Sequence, residues 1–293
     1  MTRLSVAAAL GYTRGEMITL PGESRYTTIG GIRTHYVVAG QGRPVVLIHG
    51  LGASVAIWRD NLAPLAERLT VYAVDLPGHG DSDKPDISYD AESMIEFVRA
   101  FVDHLSIETP ALIGHSLGGA LALLTALAHP ELVSRLVLVS SGSLGRQVTP
   151  FLRLAALRWI GEWLTGGRFD TTGLMLRQSF HDESLITPEL VDELRRTGSM
   201  PGAREAELKV VRNFISPWGV KRKYIRTGEL DTLDMPLMIV WGERDRVLPA
   251  KHGRQAAKAS AAAELHVLAD SGHMPHMERA AEFNALALEF LSR

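Results

Sequence analysis

The 293-residue chain contains no cysteine, and only 6% of its residues are aromatic. The absence of cysteine excludes disulfides, thiolate metal sites and a cysteine nucleophile, so any chemistry must use oxygen and nitrogen side chains. Net charge is also scarce, because 31 Lys and Arg nearly balance 33 Asp and Glu. That balance argues against a nucleic-acid partner, which needs a basic surface, and a hydrophobic content of 46% argues against disorder.

Long apolar runs are missing as well. No run approaches the ~18 residues that cross a bilayer, so we expect no membrane span. An apolar patch from Leu4 to Leu10 lies at the short limit of a signal-peptide core. It predicts a short surface helix or an irregular extension, and a cytoplasmic location is the expectation.

Short apolar runs alternate with helical patterns along much of the chain, and each run is typical of a strand buried on both faces. These runs lie at 44–49, 70–76, 111–115, 135–141, 237–242 and 264–269. Residues 26–39, around Gly30 and Gly31, predict two antiparallel strands joined by a turn. The alternation predicts an α/β fold with a mostly parallel sheet flanked by helices.

The alternation stops between residues 142 and 229, where helical pieces are separated by prolines and no buried strand run occurs. A helical stretch of this kind predicts a cap that is inserted into a sheet domain. We therefore expect one core formed by residues 1–141 and 230–293, with a cap at 142–229.

The motif Gly114-His115-Ser116-Leu117-Gly118 matches G-x-S-x-G between a predicted strand and a predicted helix. In such a strand-to-helix turn the serine hydroxyl is exposed above the sheet edge, and the glycines let neighbouring backbone pass closely. Five residues alone are weak evidence, but the strand before them and the helix after them favour a nucleophilic Ser116.

A serine hydroxyl needs a base, and the base needs an acid that orients it. Asp245 and His273 each follow a predicted strand, so parallel strands would bring them to the same sheet edge as Ser116. Glu243 is the rival acid, and a loop ion pair with Arg244 or Arg246 is the favoured interpretation of it. His276 is the rival base, and we expect it to begin or pack against the last helix.

Stabilisation of an oxyanion requires preorganised N–H groups. The residue after the nucleophile, Leu117, supplies one candidate donor. The glycine-flanked Leu51, in the loop after the first buried strand, supplies the second.

Together, these motifs resemble those of the α/β-hydrolase family over nearly the whole chain. The resemblance rests on five segments in the family order: HGLGAS (49–54), DLPGHGDSDKP (75–85), GHSLGG (114–119), WGERDRVLP (241–249) and SGHMPHME (271–278). It implies an eight-stranded, mostly parallel sheet with a cap inserted after the sixth strand. It also implies acyl transfer to water, with Ser116 as nucleophile, His273 as base, Asp245 as orienting acid, and Leu51 and Leu117 as oxyanion donors.

Other chemistries find little support in the sequence. Three G-x-G segments fail to complete a dinucleotide loop, and neither a Walker loop nor an H-E-x-x-H motif occurs. His273 and His276 lie on either side of Pro275, which disfavours a shared metal ion. The proposed triad needs no cofactor and no metal.

The predicted cap is mildly basic, and residues 208–226 contain no acid. A solvated helical face is the favoured explanation, and the alternative is an Arg that binds a substrate carboxylate. Its apolar residues could line an acyl pocket or form the cap's own core. They are Phe151, Leu152, Leu154, Trp159, Trp163, Leu174, Met175 and Phe180.

Three functions are consistent with the sequence. The first is a carboxylesterase that acts on small to medium hydrophobic acyl substrates. The second is a hydrolase of carbon–carbon bonds in ring-cleavage dienoic acids, and the third is a non-catalytic small-molecule receptor with the same fold. The partner is a small ester or related acyl compound, and the sequence is compatible with a homodimer.

Overall fold

The computed structural model describes residues 18–166 and 169–293. The apolar patch from Leu4 to Leu10 therefore lies outside the described residues. Within the two described ranges, no helix is both long and apolar enough to cross a membrane.

The centre of the described chain is an eight-stranded sheet in the order β1-β2-β4-β3-β5-β6-β9-β10. β1 and β2 are antiparallel, β2 meets β4 antiparallel, and all other neighbours are parallel. The strands are β1 (Glu23–Ile29), β2 (Ile32–Ala39), β3 (Arg43–Ile48), β4 (Leu69–Val74), β5 (Ala111–His115), β6 (Arg135–Val139), β9 (Leu237–Gly242) and β10 (Ala263–Leu268). The predicted mostly parallel sheet of eight strands is confirmed.

Helices cover both faces of the sheet and bury apolar stripes against it. In α2, for example, the Asp90 side chain accepts the Ser93 N–H at 2.8 Å and caps the helix, while Met94 and Phe101 are buried. The helices outside the insertion are α1 (Arg59–Ala66), α2 (Ala91–His104), α3 (Leu117–Ala128), α9 (Lys251–Ala259), α10 (Pro275–Glu278) and α11 (Ala280–Ser292). The last two helices are separated at Arg279, where the backbone leaves the helical region.

Between β6 and β9 the chain forms helices and one small hairpin; we call residues 142–229 the inserted segment. Its helices are α4 (Pro150–Ala155), α5 (Arg158–Leu164), α6 (Thr171–Ser179), α7 (Pro188–Gly198) and α8 (Ala203–Phe214). The hairpin strands, β7 (Ile215–Ser216) and β8 (Gly219–Val220), are too short to give an apolar run in the sequence. Short 3₁₀ helices occupy Val55–Trp58, Pro130–Leu132, Glu183–Leu185, Arg222–Tyr224 and Thr227–Thr232.

The parallel arrangement gathers the loops that follow four strands at one edge of the sheet. β3, β5, β6, β9 and β10 are successive parallel neighbours, so their carboxyl ends point the same way. The loops after these strands carry Leu51, Ser116, Asp245 and His273. Ligands of open α/β sheets bind at this edge.

Candidate active site

Ser116 lies on a strained turn between β5 and α3. Its backbone angles, φ 55° and ψ −112°, belong to a region that side-chain-bearing residues rarely occupy. The glycines of the motif are required by crowding, because a Cβ at Gly114 would overlap the Gly118 carbonyl, and one at Gly118 would overlap the Ile48 carbonyl. The Ser116 N–H donates to the Val139 carbonyl at 2.9 Å, which fixes the turn against β6.

A continuous hydrogen-bonded chain joins Ser116, His273 and Asp245. His273 Nε2 lies 2.9 Å from Ser116 Oγ, and His273 Nδ1 lies 2.8 Å from Asp245 Oδ2. A carboxylate only accepts, so Nδ1 carries the proton and Nε2 accepts from the serine hydroxyl. The structure thus brings the three predicted side chains within hydrogen-bond distance, with the His273 and Asp245 side chains almost fully buried.

The rival acid, Glu243, and the rival base, His276, both lie outside this hydrogen-bonded chain. Glu243 is exposed and forms an ion pair with Arg244 at 3.3 Å, as the sequence favoured. His276 lies in α10, and its ring is 4.5 Å from the Trp58 ring. Burial, together with the neighbouring His273, lowers the pKa of His276 to about 3, so it packs as a neutral ring.

Two more buried histidines support the loops around Ser116. His115 donates from Nε2 to the His273 carbonyl at 2.9 Å, and burial holds the pKa of His115 well below its usual range. His49 donates from Nδ1 to the Gly50 carbonyl at 2.7 Å and accepts the Leu76 N–H at 3.0 Å. Both histidines are therefore neutral, and their hydrogen bonds stabilise the loops rather than supply a base.

Leu51 and Leu117 line the same cavity as Ser116. Leu117 is the first residue of α3, so its N–H has no acceptor within the helix. The Leu51 N–H likewise has no acceptor among the described residues. Both candidate donor residues thus line the cavity that contains Ser116, and neither N–H has an acceptor among the described residues.

A small apolar cavity, here called the inner cavity, opens beside Ser116. Its lining is almost wholly aliphatic and aromatic, and Ser143 and Tyr224 are the polar side chains that join Ser116 there. Among the described residues that line it, none carries a charge. Its apolar wall includes Val148, Leu152, Val210, Val211, Phe214 and Leu248.

A second, larger space of about 710 Å³ shares Leu51 and Ser116 with the inner cavity and extends below the inserted segment; we call it the outer cavity. Its size is typical of a small-molecule site. Unlike the inner cavity it has charged walls, contributed by Asp170, Arg195, Arg204, Glu205 and Glu207.

Apolar residues of the stretch 208–226 line the cavities, but none of its basic side chains does. Lys209 pairs with Asp86, and Arg212 pairs with Glu162 at 3.3 Å. The expected surface role agrees with these contacts, and the alternative of a pocket arginine from this stretch is wrong. Two other arginines line the outer cavity, Arg195 of α7 and Arg204 of α8. No sequence pattern distinguishes them from the other arginines of the inserted segment.

The candidate acyl-pocket residues divide into three groups. Phe151, Leu152 and Met175 line the outer cavity, and Leu152 also lines the inner one. Phe180 is buried in the core between sheet and helices. The remainder are exposed: Leu154, Trp159, Trp163 and Leu174.

Glu207 is a cavity residue that the sequence analysis missed. It lies four residues after Ala203 and four before Val211, both of which are buried. Residues four apart share a helix face, so Glu207 interrupts an apolar stripe. An acid at a core-facing position of an amphipathic helix was the available signal.

One group of three potential metal ligands occurs in the described part of the chain: His35, Asp75 and Asp81. Their ligand atoms already have protein partners. Asp75 accepts from His35 Nδ1 at 2.7 Å and from the Val55 N–H at 2.8 Å, and Asp81 pairs with Arg196. These side chains therefore form a hydrogen-bonded group that anchors the loop after β4.

Comparison with known proteins agrees with the fold. The sequence model of the alpha/beta hydrolase fold matches residues 43–280. An uncharacterized protein of Mycobacterium tuberculosis is 31% identical over 92% of this chain and 82% of its own length. The 2-hydroxymuconate semialdehyde hydrolase of a Pseudomonas species is 30% identical over 93% of this chain and 95% of its own. Among solved structures, a variant of the meta-cleavage product hydrolase from Pseudomonas fluorescens is similar with a TM-score of 0.78, at 28% identity, over 92% of this chain and 97% of that one.

Proposed function

This chain belongs to the α/β-hydrolase fold family, and from that premise we propose that it cleaves carboxylic esters with an apolar acyl group through a seryl acyl-enzyme. The observation that carries the proposal is the chain Asp245–His273–Ser116, which ends beside an uncharged cavity. The proposal also assigns the inserted segment as a cap that covers the site.

The reaction follows from the positions of the hydrogen-bonding groups. Ser116 Oγ attacks the ester carbonyl carbon while its proton passes to His273 Nε2, and Asp245 stabilises the imidazolium that forms. The N–H groups of Leu51 and Leu117 stabilise the oxyanion, each donor contributing roughly 3 kcal/mol. Collapse of the tetrahedral intermediate expels the alcohol, which takes the proton from His273. Water then attacks the acyl-enzyme with His273 again as base.

The inner cavity supports the choice of acyl group. Burying an isolated carboxylate in an apolar site is costly unless a charged or polar partner meets it. The lining offers Ser143 and Tyr224 but no cation among the described residues. A hydrophobic acyl chain is the better occupant.

Labelling with a fluorophosphonate, together with hydrolysis of a p-nitrophenyl ester, tests the nucleophile. We expect both in the parent protein and neither in Ser116→Ala, with at least a ~10³-fold loss of kcat. Ser134→Ala, at an exposed serine before β6, is the matched control and should behave like the parent. Retained labelling or turnover in Ser116→Ala, with an unchanged circular dichroism spectrum, would reject the proposal.

Hydrolysis of a carbon–carbon bond in a ring-cleavage dienoic acid is the second candidate. It is favoured by the two hydrolases named above, whose names specify a muconate semialdehyde and meta-cleavage products. A dienoate carries a carboxylate that needs a cation, and Arg195 and Arg204 are the arginines that line the outer cavity.

A rate panel separates the two candidates. We expect kcat/KM for p-nitrophenyl esters of graded chain length to exceed that for a 2-hydroxy-6-oxo-dienoic acid, because the inner cavity is uncharged. A dienoate rate that exceeds every ester rate, and that falls in Arg204→Gln, would replace ester hydrolysis with carbon–carbon cleavage.

A further inference from the structure

Glu207 places a carboxyl group in the outer cavity close to the reacting centre. Its side chain lies against Gly52, the residue after the proposed oxyanion donor Leu51: a Cβ at Gly52 would be 3.6 Å from Glu207 Oε1. A Cβ at Gly198, on α7, would be 3.9 Å from the same oxygen. Glu207 does not line the inner cavity, so it faces the space left for the alcohol half of an ester.

This carboxyl has no hydrogen-bond or ion-pair partner among the described residues. The cations around it are engaged elsewhere. Lys84 donates to the Gly80 and Ser82 carbonyls, each at 2.8 Å. Arg195 pairs with Asp170 at 2.6 Å.

Arg204, on the same helix as Glu207, is also engaged. It donates to Thr165 Oγ1 at 3.0 Å and to the Glu162 carbonyl at 2.6 Å. Glu207 is partly buried, and the protein therefore leaves it without the cation that a carboxylate partly withdrawn from water normally requires.

The surroundings of Glu207 also shift its pKa. Burial raises the pKa of Glu207 to about 7, against a weaker opposing effect of Lys84. A positive group that enters the outer cavity would meet an otherwise unpaired acid and favour its ionised form.

We propose that Glu207 binds a positively charged ammonium group carried by the alcohol half of the substrate, while the apolar acyl chain occupies the inner cavity. The inference rests on the proposed ester hydrolysis. It narrows the substrate class to esters of amino alcohols, including quaternary ones.

A pair of esters with the same shape and different charge tests this selectivity. The choline ester and the 3,3-dimethylbutyl ester of one fatty acid differ in a quaternary nitrogen that replaces a carbon. We expect the parent to prefer the choline ester, and Glu207→Gln to lower kcat/KM for it at least tenfold, mainly through KM. The neutral ester should change less than twofold.

Two further variants guard against a general structural effect. Glu183→Gln, an exposed acid of the same inserted segment, should leave both rates unchanged. Glu207→Asp keeps the charge and should keep a weaker preference for choline. The melting temperature of Glu207→Gln at pH 8 should not fall below that of the parent, because the amide removes an unpaired charge.

The outcomes separate the two proposals. Hydrolysis of the neutral ester with no selective loss for choline in Glu207→Gln overturns the role of Glu207 and leaves ester hydrolysis intact. Equal losses for both esters also overturn it. No hydrolysis of either ester rejects the proposed function, and the inference with it.

Discussion

The two carboxylate oxygens of Asp245 have different surroundings. Oδ1 accepts the backbone N–H groups of Val247 and Leu248, each at 2.8 Å. Oδ2 faces the His273 imidazole. The backbone amides therefore fix the orientation of the carboxylate independently of its contact with the imidazole.

That orientation makes Asp245→Asn a sharp test. The amide oxygen will take the place of Oδ1, because only an oxygen can accept the two N–H groups, and the amide nitrogen will then face His273 Nδ1. Nδ1 must become an acceptor, so Nε2 carries the proton and no longer accepts from Ser116. We expect kcat for a p-nitrophenyl ester to fall about 10⁴-fold with little change in fold.

Glu243→Gln is the control for Asp245→Asn. Glu243 is exposed and pairs with Arg244 at the surface, so its removal should change kcat less than twofold. The opposite ranking of the two variants in steady-state kinetics would make Glu243 the orienting acid.

The neighbouring histidines leave His273 as the base of this cluster. The His115 ring lies 4.8 Å from both the His273 and His276 rings. Burial lowers the pKa of both neighbours, so neither adds a positive charge beside the imidazolium that catalysis forms. The same burial explains why the segment SGHMPHME (271–278), which contains both His273 and His276, need not provide two bases.

At the scale of elements, secondary structure could be predicted best where a local sequence pattern has a single physical cause. β5 coincides with the apolar run 111–115, and the turn at Ser116 follows it directly. Strands buried on both faces produce such runs, and strained turns need the glycines that mark them. The order of strand, turn and helix could therefore be predicted without a structure.

Features that depend on tertiary contacts could not be predicted in the same way. The break at Arg279 divides α10 from α11 without a proline or glycine at the break. The position of Glu207 against Gly52 joins two segments that lie more than 150 residues apart. A helical pattern shows that Glu207 interrupts an apolar stripe, but it does not show which loop the carboxyl meets.

At the scale of the whole molecule, polar contacts hold the inserted segment against the loop after β4. Arg196 of α7 binds both oxygens of Asp81, at 2.8 and 2.7 Å. Lys209 of α8 pairs with Asp86 and also donates to the Ile87 carbonyl at 2.9 Å. The loop that carries these acids is itself anchored through Asp75, so the contacts connect the outer cavity to the sheet.

Arg196→Ala should loosen this connection without unfolding the protein. The ion pair is partly exposed, so we expect a loss of about 1 kcal/mol in global stability, but faster amide hydrogen exchange in residues 188–198. Arg196 lowers the pKa of Asp81, so this stabilisation is present above the ordinary carboxyl pKa and is lost as the pH falls through the lowered value. The stability difference between parent and variant should therefore shrink in acid. Arg293→Ala, the control, removes pairs with Glu264 and Glu289 outside the inserted segment. Equal exchange rates of residues 188–198 in the two variants would contradict the connecting role of Arg196.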